Sequence, residues 1–296
     1  MLVILGLIVV MGSVLGGYVL HGGNVAVLYQ PTEFLVIGGA GIGSMIISSS
    51  PALIKSMIHL LKVSVLGKPM TKAEYVQAVC FVYECFKMLN ANPISMDKHI
   101  EDPANSDLFQ RYPSILANHH ALDFFCDTLK IQLVARMASY DLDELMDIDI
   151  TTVHKEEHAV PALINKVGDA MPGLGIVAAV LGVVITMGKL TQGKEVIGHS
   201  VAAALVGTFI GILLSYGVFG PVASKVEATI GENSILVNSL RAAINAYTKG
   251  CNAKVCAEFA RRSIPMDVRP TFAEIDEATS NVNKGGGAAA AGAKAA

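Results

Sequence analysis

No Asp, Glu, Lys or Arg occurs before Glu33. A helix needs about 20 apolar residues to cross roughly 30 Å of hydrocarbon, so Leu2 to His21 is long enough to span once. Gly22 to Thr32, with Gly22-Gly23-Asn24 and Pro31, reads as a turn. A second span runs from Phe34 to Ile54, opening at Pro31-Thr32-Glu33 and closing around Ser48-Ser49-Ser50-Pro51. A third covers about Ala170 to Gly188, and a fourth lies within the uncharged run Val196 to Ser224. A signal peptide is the competing reading of the N-terminus. No Lys or Arg precedes Leu2 and no A-x-A cleavage site follows, which favours a permanent span.

Composition agrees. Hydrophobic residues make up 52% of the 296 and charged residues only 16%, against about 25% charged in a soluble domain. With 28 Gly and no Trp, the apolar content suits helices packed closely in lipid. A net charge of −3 without a basic run argues against a nucleic-acid partner, because phosphate binding needs clustered cations. The five cysteines fit neither a CxxC pair nor a zinc site and are read as reduced cytoplasmic thiols.

Basic residues near span ends favour the cytoplasm. Lys55, Lys62, Lys68, Lys72, Lys155, Lys166 and Lys225 fall on one side, while the short hairpin turns carry only Lys189 and Lys194. Both termini and the long loop are therefore expected inside. Within that loop, Val76, Val79, Cys80, Val82, Tyr83 and Phe86 recur at helical spacing, with breaks at Asn92-Pro93 and Asp102-Pro103. Asp123 to Met146 reads as an amphipathic helix, and Asn233 to Phe259 also alternates with a helical period. The expected fold is an all-α membrane protein with four transmembrane helices and a large helical cytoplasmic domain. Its segments are a hairpin at 1–54, the cytoplasmic loop at 55–166, a second hairpin at 167–224, a C-terminal helical segment at 225–277, and a disordered Gly/Ala tail at 278–296.

An ion-conducting protein usually holds an ionisable group at mid-membrane. By sequence position Glu33 sits at the outer edge of span two, Asp169 at the inner mouth of span three, and His199 at the outer start of span four. A mid-membrane carboxylate is then expected from another polypeptide. Rows of small residues at four-residue intervals allow close helix approach. Ala203, Gly207, Gly211 and Ser215 form one row, Gly198 and Ala202 another, and in span two Gly38 and Ile42 alternate with Gly39 and Gly43. These serve either an oligomer or partner helix, or packing within the four-helix unit itself. Thr186, Thr208 and Ser215 either line a hydrated route or bond back to their own helix. Pro172 and Pro221, beside Gly173 and Gly220, are candidate hinges or sites of freed carbonyls.

His154-Lys155-Glu156-Glu157-His158 matches the H-x-x-E-H spacing of one metalloprotease class. It lacks a third ligand and an apolar surround, so a solvated helix face is the expected reading, and neither a metal site, a cofactor nor an enzyme is expected. His119-His120 is weaker, since adjacent residues point to different faces.

Several motifs together resemble the MotA family of flagellar motor stator subunits. They are Gly16-Gly17-Tyr18, Leu28-Tyr29-Gln30-Pro31-Thr32-Glu33, Gly38-Gly39-Ala40-Gly41-Ile42-Gly43, Ile100-Glu101-Asp102-Pro103, Tyr112-Pro113, the run Val167 to Val180, Val206 to Leu214, Pro221, Glu258-Phe259 and Arg269-Pro270. The resemblance implies a homopentamer in the bacterial inner membrane around two MotB-like helices, with the partner supplying the proton-accepting Asp. It also implies torque on the rotor protein FliG through charged contacts of the cytoplasmic loop. By position, Pro172 and Pro221 match the family's two prolines bordering the ion path, and Ala179 and Thr208 match residues facing it. Sodium-using relatives place a threonine at the position of Ala179. A desolvated Na⁺ needs several oxygen ligands, so Ala179 points to protons. The family's loop Arg falls on Leu89 here and its acid on Asp97, which leaves Lys87, Asp97 and Glu101 as the implied rotor contacts. An ExbB/TolQ-like proton-driven energiser is the alternative, but its usual plan has three spans and an outside N-terminus.

Overall fold

The computed structural model describes residues 2–188, 191 and 193–283. Among the described residues all regular structure is helical. The chain begins with α1 (Leu2–Leu20), α2 (Val25–Leu28), α3 (Pro31–Ser48) and α4 (Pro51–Leu66). It continues through α5 (Lys72–Ala91), α6 (Pro93–Glu101), the short α7 (Asp107–Gln110) and α8 (Pro113–Leu116), and α9 (His119–Ala135). The 49-residue α10 (Ser139–Met187) follows, then α11 (Lys194–Leu214), a π-helical stretch (Ser215–Phe219), α12 (Gly220–Thr248), α13 (Ala253–Ser263) and α14 (Phe272–Asn283). Four helical stretches have the length and apolarity to cross a membrane, at Leu2–Leu20, Val25–Ser48, within Ser139–Met187, and from Val196 onward. This is the expected all-α architecture.

The described residues form two compact units, one of residues 2–68 and 155–230, the other of 69–154 and 231–283. In the first, glycines let α10 and α11 pack backbone to backbone. A Cβ at Gly211 would lie 2.5 Å from the Met171 carbonyl oxygen, one at Gly175 2.7 Å from the Gly207 carbonyl oxygen, and one at Gly182 2.6 Å from the Ala204 Cβ. These three contacts run in opposite chain directions, so the pair is antiparallel. α3 docks through fully buried Ile37 into a cluster with Leu163, Val167, Met171, Ala178, Val206 and Ile210. Its Gly41 meets the Met171 side chain, whereas a Cβ at Gly38, Gly39 or Gly43 would meet nothing within 4 Å. The expected span-two rows are thus open in the single chain, and the glycine between them makes the contact. α1 has no buried residue, and its exposed Leu2, Leu5, Ile8 and Val9 are a surface for lipid rather than water.

The second unit has an aromatic core. Phe81 of α5 lies 5.0 Å from Phe109, 5.0 Å from Phe125 and 5.4 Å from Tyr112, ring centre to ring centre. A capping box starts α5, Thr71 accepting from the Glu74 amide while the Glu74 carboxylate accepts from the Thr71 amide. The Tyr112 hydroxyl donates to Glu84 at 2.8 Å, and Arg111 pairs with the other carboxylate oxygen at 2.6 Å. Arg241 bridges Asp143 and Asp147 at 2.8 and 2.7 Å. Hydrogen bonds from Arg261 hold the Glu258 carboxyl down at about 2. All five cysteines are free, and burial pushes the Cys80 thiol up to about 12.

Three local expectations change. The stretch Asp123 to Met146 is two helices, because α9 ends where Arg136 takes a left-handed conformation (φ 48°) and its amide caps Gln132. Asn233 to Phe259 is likewise interrupted. Gly250 (φ 81°) closes α12, its amide bonding the Tyr247 carbonyl while that of Cys251 reaches Ala246. The tail expected to be disordered from 278 is helical through Asn283, since Ala278 and Thr279 are buried on the inner face of α14. The remainder, 284–296, lies outside the described residues.

Candidate ion path and rotor-facing surface

Proline has no amide hydrogen, so Pro172 leaves the Gly168 carbonyl without its helical donor. Pro172 is half-buried in α10, one residue after Met171, whose carbonyl abuts Gly211. A Cβ at Gly168 would lie 2.8 Å from the Phe219 Cβ, which puts the Gly168 turn against the residues just before Pro221. Pro221 is exposed and follows the π-helical stretch, where the Gly220 amide bonds Ser215. Loss of the Pro221 donor removes the bond to Gly217 and favours this wider turn, a local form common at functional sites. The two prolines, far apart in sequence, therefore belong to one end of the α10–α11 pair.

Ala179 and Thr208 are both half-buried. Each follows by one residue a member of the Ala178–Gly207 contact, where a Cβ on Gly207 would lie 3.1 Å from the Ala178 Cβ. They share one layer of the pair. Gly207 and Gly211, expected to serve helix packing, do so within the chain. Thr186 donates to the Gly182 carbonyl at 2.7 Å, the self-bonding alternative.

The surroundings of Glu33 are not legible from its position. The residue is only 9% exposed, and its Oε2 has no hydrogen-bond partner. A Cβ on Gly207 would come within 2.6 Å of that oxygen. Glu33 thus keeps its place in the first turn of α3, while Gly207 leaves room for its carboxyl inside the bundle. The signal available in the sequence was that Glu33 is the lone charged residue before Lys55.

In the second unit Lys87 is exposed on α5 and donates to the Asn283 side chain at 2.5 Å. Asp97 and Glu101 are exposed one turn apart on α6. Leu89 is 1% exposed and is enclosed in the core, so it offers nothing to a partner. Asp97 lines a groove of about 420 Å³ together with Ile94, Val134 and Arg136. Arg136 is exposed, and sequence reading missed it because its loop position follows from the left-handed cap rather than from any motif.

The N-terminal part, residues 4–93, matches the family model described as motility protein A N-terminal, and residues 117–238 match that of the MotA/TolQ/ExbB proton channel family. Motility protein A of Escherichia coli (strain K12) is 37% identical over 279 residues, covering 94% of both chains. This chain belongs to the motility protein A family. That of Salmonella typhimurium is 36% identical over 94% of each chain, and chemotaxis protein LafT of Vibrio parahaemolyticus is 30% identical over 92% of this chain and 96% of that one. Family membership makes the chain an ion-channel subunit and not an enzyme. Two solved structures share the fold. MotAB of C. jejuni superposes with a TM-score of 0.74 at 18% identity, covering 91% of this chain and 98% of that one. The flagellar MotAB stator complex from Bacillus subtilis gives 0.72 at 20% identity, covering 92% and 100%.

Proposed function

We infer that this chain is the membrane subunit of a flagellar motor stator, conducting protons with a MotB-like partner and converting their flow into torque. The observation that carries the reading is its 37% identity to a motility protein A across 94% of both chains. Pro172, Ala179, Thr208 and Pro221 line the conduction route on this chain, and none of them holds a proton, so the partner's aspartate is the transferring group. The open glycine face of α3 and the apolar surface of α1 suit self-association into a pentamer around the partner helices. The lysines flanking the spans support a multi-pass inner-membrane protein with both termini in the cytoplasm.

Lys87, Asp97 and Glu101 form the surface that meets FliG. With Leu89 buried, the exposed Arg136 beside Asp97 supplies a cation on that surface, framed by exposed Ile94 and Val134. Asp97→Lys is expected to cut swimming speed at least severalfold while the stator still assembles in the membrane. Wild-type speed in that variant would remove Asp97 from the rotor contact. An ExbB/TolQ-like energiser shares one of the two family models, but the motility protein A N-terminal match supports the motor.

The coupling ion is tested by swimming speed in cells whose only stator is this chain with its partner. Speed is expected to survive removal of sodium and to collapse when a protonophore is added, because Ala179 offers no oxygen to a desolvated Na⁺. Speed that tracks sodium would overturn the proton assignment. No motility in either condition, with a functional partner present, would favour the energiser.

A further inference from the structure

One ionisable side chain inside the four-span unit is enclosed by apolar helices and left unpaired. Glu33 is nine-tenths buried, and its Oε2 is sealed from solvent with no hydrogen-bond partner. A Cβ on Gly207 of α11 would meet that oxygen at 2.6 Å, the Ala178 Cβ at 3.1 Å and the Gly175 carbonyl oxygen at 3.3 Å, so the carboxyl shares this spot with groups that do not titrate. Glu33 stands in the first turn of α3, and its carboxyl packs beside Gly207 in the interior of the 21-residue α11.

An ionised carboxylate enclosed without a partner is costly, and a leucine would fill the space without that cost. The site is also built around the carboxyl, because Gly207 carries no side chain and Oε2 abuts the backbone of α11 directly. Ala179 and Thr208 are the next residues after Ala178 and Gly207, about 100° around each helix. The carboxyl and the ion-path positions therefore occupy one layer of the bundle.

We propose that Glu33 is a proton-binding site of the conduction route, contributed by this chain in addition to the partner's aspartate. The inference rests on the stator reading above. A hydronium arriving from outside gives its proton to the carboxylate, leaving a water and a neutral carboxyl. Release of that proton to a water on the inner side restores the carboxylate and a hydronium, so charge and atoms balance over the cycle. In its neutral form the carboxyl leaves no unpaired charge buried in the enclosed site.

The test uses the full chain assembled with its partner, with Glu33→Gln and Glu33→Asp variants. Proton influx is followed as the external pH is varied. Glu33→Gln keeps the size and polarity of the side chain but binds no proton, and is expected to lower influx at least tenfold. Glu33→Asp is expected to retain a measurable part of it with a displaced pH profile. Influx and pH profile unchanged in Glu33→Gln would overturn the proposal. Should that variant fail to assemble, infrared spectra of the wild-type complex with isotope-labelled glutamate decide. A label-shifted, protonated glutamic acid band that comes and goes with pH, and is lost in Glu33→Asp, supports the site; its absence overturns it. A wild-type complex that passes no protons would instead sink the stator reading, and the infrared titration would still judge Glu33.

Discussion

Replacing Gly211 by leucine is expected to abolish motility and to strip the folded subunit from the membrane. A Cβ there would lie 2.5 Å from the Met171 carbonyl oxygen, 3.1 Å from the Gly175 Cα and 3.2 Å from the Met171 carbonyl carbon. All three are backbone atoms, so no rotamer change relieves the clash, and α10 must move away from α11. Ordinary overpacking costs about 1–3 kcal/mol. Separating these helices adds the loss of the contacts at Gly175 and Gly182, and it displaces Pro172 and Thr208, which the same interface positions. Gly12→Ala makes the comparison, because a Cβ at Gly12 meets nothing within 4 Å in the chain. Membrane-fraction protein level and swimming speed are the measurements. Gly211→Leu protein that accumulates and swims like the wild type would refute the close packing.

Phe81→Ala is expected to destabilise the second unit by about 3–5 kcal/mol, the usual cost of deleting a buried aromatic. Phe81 is 0% exposed and lies within 5.4 Å of three other rings, ring centre to ring centre. Its removal empties the middle of a cluster drawn from α5, α7, α9 and the Tyr112 turn. Edge-on ring contacts add roughly 0.5–1.5 kcal/mol each beyond area burial. A loss of that size is a large part of the 5–15 kcal/mol that keeps a typical domain folded. Thermal unfolding of the purified full chain, with limited proteolysis of the α5–α9 region, reads the effect. An unchanged midpoint and cleavage pattern would mean that these rings are not the core of the unit. Motility should fall with it, because α5 and α6 carry Lys87, Asp97 and Glu101 and hold them in place through the same core.

The legible part of the site and the missed part differ in kind. Pro172, Ala179, Thr208 and Pro221 are candidates that the family resemblance implies, and the structure adds that the prolines share one end of a helix pair and the other two share a layer. The open face of Gly38, Gly39 and Gly43 has a spacing as regular as the Gly207–Gly211 row, yet only the second is packed in the chain. Spacing records that residues share a face but not which neighbour that face meets.

The sequence by itself determined the four spans, the helical class of the long loop and the family. Hydropathy over about 20 residues is a local sum that no tertiary contact reverses, and motifs spread along nearly the whole chain carry the kinship. Only the tertiary structure decided the surroundings of Glu33, the burial of Leu89, the break at Arg136 and the burial of Ala278 and Thr279 in α14. Each depends on which distant residue packs opposite: Gly207, more than 170 positions away, opens the space that encloses the Glu33 carboxyl. The energy of a polar group is set by its neighbours in space, and a linear chain does not display them.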